Sequence, residues 1–261
     1  MDVVYVIGTG SKWDNNELRY SLRSIEKFAS GLGEVYIVGD ELPEFLDPKA
    51  VHYIQCSDVP GCSPALNVYG KIERFFLYTK VDRFLLSSDD HFFIKPVDFE
   101  HWPIHYKGDA MPAEYESGLG DKRYTQTMID TRNFMKEKGL DLKYYEGHTN
   151  KLYTRAAWRM LFVTYEGNGM YGPDPLIRHY LLDTKFGISM NSPVAAMHMF
   201  LNPSYPCQYR KDIKLRHLNT PDDWEQLKDA SSFSVYNSAI HSGVAGFLQV
   251  MFPEPCRFEK I

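Results

Sequence analysis

No stretch of this chain approaches the roughly 18 consecutive apolar residues that a helix needs to cross a bilayer, so no membrane span is expected in its 261 residues. Cysteine is scarce too. The four present, Cys56, Cys62, Cys207 and Cys256, include no CxxC pair and no Cys/His set at zinc-finger spacing. Neither a zinc module nor a dense disulfide framework is therefore indicated, and a reducing compartment fits best. Met1-Asp2 leads straight into a short apolar strand, without the basic flank, longer apolar core and cleavage site of a signal peptide. The expectation is a soluble, cytoplasmic protein. Positive charge is not in excess either: a formal charge of −5 argues against a coat for nucleic acid, whose non-specific affinity is built from many phosphate contacts. A local basic groove stays compatible with that total. The densest basic stretch, Arg210-Lys211-Asp212-Ile213-Lys214-Leu215-Arg216-His217, reads first as a solvated face. Internal repeats and low-complexity linkers are absent as well, and the length suffices for one core without staples.

What is present is concentrated in Phe84-Leu85-Leu86-Ser87-Ser88-Asp89-Asp90-His91-Phe92-Phe93. An apolar run of strand length ends there at two adjacent carboxylates, as in the buried strands of a parallel sheet. Ligands in open α/β sheets gather beyond the carboxyl ends of such strands. As plain structure, Asp-Asp after a strand is turn chemistry. As chemistry, two carboxylates suit a hard divalent cation that keeps waters and also holds a substrate diphosphate. Mn²⁺ or Mg²⁺ is the cation expected, and a nucleotide sugar, with a UDP-sugar first, is the diphosphate.

Around that run the pattern alternates. Val3 to Ile7 reads as a first strand, and Gly8-Thr9-Gly10-Ser11 as a turn that brings backbone close to a ligand. No third glycine completes a dinucleotide fingerprint. Leu18, Leu22, Ile25 and Phe28 fall at helical spacing, from about Asn15 to Gly31, with Asp14 and Glu17 placed to cap the start. Arg19 and Arg23, four apart, share one face of that helix; they would hold phosphate in a cleft or pair with Glu26 at the surface. Strands at Val35 to Val38 and Val51 to Ile54 precede a helix through Leu66, Tyr69, Ile72, Phe76 and Thr79, which leads into the Asp89 strand. This order predicts an α/β fold whose mostly parallel sheet is flanked by helices. Residues 100–150 show no clean period and read as an acceptor-side insertion. Helical signals return at 154–164, 174–182 and 244–251, and from Thr220, where Thr220-Pro221-Asp222-Asp223 is a capping sequence. One domain, 1–261, is expected, with 1–98 as the nucleotide-sugar-binding half and 99–261 as the acceptor-side half and C-terminal elaboration.

Asn16-Glu17-Leu18-Arg19-Tyr20-Ser21-Leu22-Arg23-Ser24-Ile25-Glu26-Lys27, then Val35-Tyr36-Ile37-Val38 and Phe84 through Phe93, resemble the second conserved region of the Stealth proteins. Members of that family transfer a sugar 1-phosphate from a nucleotide sugar to a hydroxyl on capsules or glycoproteins. The likeness covers about the first hundred residues; beyond them Gly147-His148 resembles the family's later histidine motif, and Asp174 with Arg178 its last acidic and basic positions. The first strand departs from the pattern, carrying Gly8-Thr9-Gly10 where Stealth proteins have an aspartate-containing turn. The chain also looks like small, single-domain, phage-borne glycosyltransferases of GT-A-like, Rossmann-type architecture, some of which are thought to decorate hydroxymethylated DNA bases. For such a relative the compartment is the host cytoplasm. These resemblances imply a donor site of Gly8, Thr9, Gly10, Arg19, Arg23, Asp89 and Arg178, and a metal on Asp90 and Asp89, with His91 or His198 assisting. His198, which alternates with apolar residues, reads first as a hydrogen-bonded core histidine, and so does His241. A base is needed to take the acceptor's proton, and Asp174 and His148 compete for it beside Asp90. Three outcomes stay open: sugar transfer to a glycan or a modified DNA base, sugar-1-phosphate transfer, and a non-catalytic binding module.

Overall fold

The computed structural model describes all residues except 63, 115–121, 167–188, 212, 237–238, 240–242 and 261, and leaves out the side chains of 123 and 162–166. Its central sheet has the strand order β4-β3-β1-β5-β9, formed by β1 (Asp2–Val6), β3 (Val35–Gly39), β4 (His52–Gln55), β5 (Arg83–Ser87) and β9 (Lys151–Thr154). The first four run parallel, and β9 pairs antiparallel with β5. The expected α/β alternation is therefore the observed one. Helix α1 (Asn16–Phe28) crosses from β1 to β3, and α2 (Pro64–Tyr78) from β4 to β5. The chain leaves β1 for β3 and β4 on one side, then returns to place β5 on the other. The crevice between the carboxyl ends of β1 and β5 is thus the point where strand order reverses, the usual ligand position in such sheets.

Central strands bury both faces: Val3, Val4, Tyr5, Ile37, Phe84 and Leu85 are fully enclosed, each burial worth about 1.5–3 kcal/mol. Leu18, Leu22 and Ile25 of α1 join this core at the predicted spacing. The expected carboxylate caps do not form. Asn15 takes the N-cap position in a left-handed conformation without a side-chain bond, while Ser11 Oγ accepts from the backbone N–H groups of Trp13 and Asn15.

Two short strands, β2 (Ala29–Ser30) and β7 (Val97–Asp98), pair with each other, and between residues 100 and 150, where no period was legible, lie α3 (Lys122–Glu137) and β8 (Ile104–Tyr106), which pairs with β10 (Cys207–Tyr209). Alpha helices α4 (Arg155–Glu166) and α5 (Asn191–Leu201) pack on each other and on β9. A second, smaller core forms the C-terminal elaboration. There β6 (His91–Phe93), β11 (Lys214–Leu215) and β12 (Ser232–Val235) make a three-stranded sheet covered by α6 (Pro221–Leu227) and α7 (Val244–Met251).

Strand β6 belongs to both cores. Alternation sends Phe92 into the smaller one and Phe93 into the larger, so the Asp89-Asp90 turn is clamped between them. Ser21 and Ser24 of α1 secure it further: Ser21 Oγ donates to His91 O at 2.7 Å, and Ser24 Oγ accepts from Phe93 N at 3.1 Å.

The capping sequence at Thr220 folds as predicted. Thr220 Oγ1 accepts from Asp223 N at 3.3 Å, and Asp223 Oδ2 accepts from Thr220 N at 2.9 Å. Thr220→Ala is expected to cost about 1 kcal/mol, read as a Tm lowered by about 3 °C in thermal melts.

Candidate active site

The two carboxylates stand just past the tip of β5, where His91 N donates to Ser88 O at 3.3 Å and closes a tight turn. Asp90 faces a cleft of about 180 Å³ that it shares with Ser87, Ser88, His148, Lys151 and Lys214. Ser88 Oγ donates to Asp90 Oδ1, and Lys214 Nζ lies 3.6 Å from Oδ2. His148, distant in sequence, is thereby brought into one hollow with Asp90. Asp89 is held differently. Burial, and then the charges of Asp90 and Glu17, push its carboxyl up from 3.8 to about 7. Glu17 Oε2 is itself buried without a hydrogen-bond partner. The local excess of negative charge is what a cation would neutralise. Among the described residues no three His, Cys, Asp or Glu side chains are arranged to hold a metal ion. The residues present nevertheless fit Mg²⁺ or Mn²⁺, which bind through one or two carboxylates and complete their shells with water and substrate phosphate.

A second cleft, of about 290 Å³, opens beside the tips of β1 and β3. Gly8 and Thr9 line it; Gly10 lies exposed next to them, with open space where a side chain would be. Asp14, Asp40, Glu41 and Glu44 also line it, an assembly hostile to a bare diphosphate but able to accept hydrogen bonds from hydroxyl groups. Asp40 follows β3 as Asp89 follows β5, and Tyr53 Oη donates to its backbone carbonyl at 2.6 Å. At Gly39 a side chain is excluded: a Cβ there would sit 2.4 Å from Ile7 Cγ1, so the two strand tips can approach only through glycine. Lys71, buried on α2, ties the floor together by donating to Ile7 O at 2.8 Å and pairing with Asp58.

Several expected ligands lie elsewhere. Arg23 is spent on Glu259, with Nε at 2.5 Å and Nη2 at 2.7 Å from its two oxygens, while Nη1 donates to Phe252 O at 2.8 Å. Arg19 sits over the Phe45 ring, 3.5 Å from the same carboxylate. Neither arginine lines either cleft, so the donor-binding expectation for this pair is corrected, and so is the alternative partner, Glu26. His198 is corrected as a metal ligand. Its Nδ1 is 3.4 Å from Thr154 Oγ1, and Thr154 pairs with Arg83 at the start of β5, about 13 Å of strand from the carboxylate end. There it packs edge-on against Tyr205 as a core histidine.

His91 borders the Asp90 cleft but is committed inward. Arg210 donates to Ser232 Oγ, which leaves the serine proton for His91 Nε2 at 2.9 Å, and the ring stands edge-on to Phe93. Burial and then Arg210 hold this imidazole neutral, well below its ordinary range. It braces the turn, and a bond to the cation is not open through Nε2. Asp174, Arg178 and His241 lie outside the described residues.

Lys151, Lys214 and Asp40 were not singled out as site residues in the sequence. Asp40 carries the same signal as Asp89, a carboxylate at the end of an apolar strand. Lys151 and Lys214 carry none, because the pairings that bring them to Asp90 span distant segments. No family model matches the chain, and no curated protein matches it.

Proposed function

We propose that the protein is a metal-dependent glycosyltransferase that moves a sugar from a nucleotide sugar to an acceptor hydroxyl, on a sheet of GT-A-like, Rossmann-type plan. The observation that carries this reading is the meeting of Asp90, His148, Lys151 and Lys214 in one cleft at the reversal of strand order, with a second, glycine-edged cleft at the neighbouring strand tips. The acidic cleft would take the nucleoside. Asp40 at the tip of β3 would accept the ribose hydroxyls, the part an acidic residue plays in dinucleotide-binding sheets. The diphosphate would then lie toward Asp90, where Lys151 and Lys214 supply positive charge. A bound Mn²⁺ or Mg²⁺ on Asp90, with Asp89 behind it, would neutralise charge on the departing diphosphate.

In an inverting transfer the acceptor oxygen bonds to the anomeric carbon as the bond from that carbon to the diphosphate breaks. The electron pair leaves with the nucleoside diphosphate, and the acceptor's proton passes to a base. His148, exposed at the cleft wall, is the described candidate, an imidazole whose ring nitrogen can accept that proton.

The test is to incubate the protein with a panel of UDP-sugars, with and without Mn²⁺, and identify the released nucleotide. Nucleoside diphosphate released only with metal, and lost in Asp90→Asn, is the expected result. Nucleoside monophosphate would instead mean that a phosphosugar moves, as in the Stealth proteins. Donor binding that survives Asp90→Ala, with no product, would leave a binding module.

A further inference from the structure

We propose that a buried water sits in the hollow behind the 148–151 turn, bridging Asn150, Thr149 and His105, and that Asn150 is thereby a positioning residue for His148. The role in transfer rests on the reading above; the water and its hold on the turn do not. Asn150, only 1% exposed, directly precedes β9. Continuing the register in which Leu86 faces Lys151 sets it opposite Ser87, whose Oγ donates to Asn150 Oδ1 at 3.4 Å. Its backbone carbonyl accepts from Trp102 Nε1 at 3.2 Å. Trp102 is itself fixed, edge-on to Phe93 and Phe99. Arg210 lies 5.4 Å from its ring centre, so the basic 210–217 stretch is not wholly the solvated face first read from it. The turn thus hangs from one enclosed side chain, and on either side of it the chain delivers His148 and Lys151 to the Asp90 cleft.

That anchor is incomplete among the described residues. A hollow of about 20 Å³ lies against it, bordered by His105, Thr149, Asn150 and Lys151. Asn150 Nδ2, Thr149 Oγ1 and His105 Nδ1 are all buried, and none of the three has a hydrogen-bond partner among the described residues. Turning the amide over would not satisfy it, since Oδ1 would then take the unpartnered place. Buried polar groups of this kind are met by protein or by ordered water, and left unmet they weigh against the fold.

The hollow has the size and the chemistry for one water. A water needs roughly 10–15 Å³ of such volume, and a buried one makes about three hydrogen bonds. Burial, and then Arg210, push the His105 imidazole down to about 3, so it is neutral and its Nδ1 is free to accept from the water. Asn150 Nδ2 donates to the water, and the Thr149 hydroxyl completes the set as donor or acceptor. Thr149 also lines the Asp90 cleft beside His148. The water therefore joins β8 and the buried anchor to the wall on which His148 stands, and holds the imidazole where an acceptor proton would reach it.

The test compares the unaltered protein with Asn150→Leu and Thr149→Val, each close in size to the residue it replaces, by crystallography at a resolution that shows ordered water and by transfer kinetics well below each melting temperature. Density for a water within hydrogen-bond distance of the three atoms is expected in the unaltered protein. In both variants the water should be lost and the His148 ring displaced by about 1 Å, a misplacement that lowers kcat about 100-fold with little change in donor KM. In a His148→Ala background the same substitutions should lower kcat by less than about twofold, because they act through that side chain. Thr149→Val, the milder change, carries the test if Asn150→Leu does not fold. A hollow without water in the unaltered protein, a His148 ring unmoved in the folded variants, or equal kcat losses with and without His148 overturns the proposal. If the unaltered protein transfers no sugar, the crystallographic comparison still decides for or against the water and its hold on His148, and the transfer reading alone fails.

Discussion

Asp89→Asn is expected to make the protein more stable near pH 8 while weakening its affinity for Mn²⁺ by about 10–100-fold, and transfer activity should fall with the metal. The two effects share one cause. Burial and the charges of Asp90 and Glu17 raise the Asp89 carboxyl from 3.8 to about 7, so the folded protein holds a proton there that the unfolded chain has already lost. Stability contributed by this group therefore falls as pH rises from about 4 to about 7 and is level above that. Fully realised, the displacement corresponds to about 4 kcal/mol; solvent reaches part of the side chain, which reduces the expected gain to about 2 kcal/mol. Thermal melts should show the variant about 5 °C above the unaltered protein near pH 8 and level with it near pH 4. A gain independent of pH, or a loss, would mean that Asp89 carries no such strain. Added Mn²⁺ should stabilise the unaltered protein more at pH 8 than at pH 6, where the cation competes with the proton.

The parts of this protein that were legible in its sequence are those governed by neighbours in the chain. Period and run length placed β1, α1, β3, β4, α2 and β5, and Thr220-Pro221-Asp222-Asp223 announced the start of α6 through a box closed within four residues. Asp90 was legible because a carboxylate at the end of an apolar strand is a local pattern. Helix α3 was not, because its buried residues Met128 and Met135 and buried Thr125 and Thr131 dilute the apolar stripe with hydroxyl groups. The strand β9 was hidden for another reason: Lys151-Leu152-Tyr153-Thr154 is four residues long and runs without a turn signal into the helical pattern that starts at 154, and only pairing with β5 makes it an edge of the main sheet. Long-range electrostatics were the least legible of all. Lys214 reaches Asp90 across 124 positions because β11, β12 and β6 pair in sequence-distant register, and nothing in Arg210 to His217 distinguishes that lysine from its neighbours.

Arg23→Ala is expected to cost about 3–5 kcal/mol, a Tm lowered by about 10 °C, while leaving the donor KM nearly unchanged. The Arg23 fork grips both oxygens of Glu259, whose side chain is only 6% exposed, and anchors the Phe252 carbonyl at the end of α7. Truncating the arginine leaves that carboxylate enclosed with Arg19 at 3.5 Å and the Cys256 N–H as its described partners. Removing both charges together, as in Arg23→Met with Glu259→Met, should recover most of the loss, because a buried pair can be replaced by apolar groups at little cost. The pH dependence should also change sign. Burial alone would push the Glu259 carboxyl up, but hydrogen bonds from Arg23 and from the Cys256 N–H bring it below its ordinary 4.5. In the unaltered protein this pair thus stabilises above about pH 4 and is lost as pH falls through the lower, folded value. In Arg23→Ala burial dominates, so the deficit should deepen as pH rises from 4 to 7 in paired melts. A raised donor KM with unchanged melting would reverse the assignment, and Arg23 would then be gripping phosphate, as its spacing from Arg19 suggests when the helix is read alone.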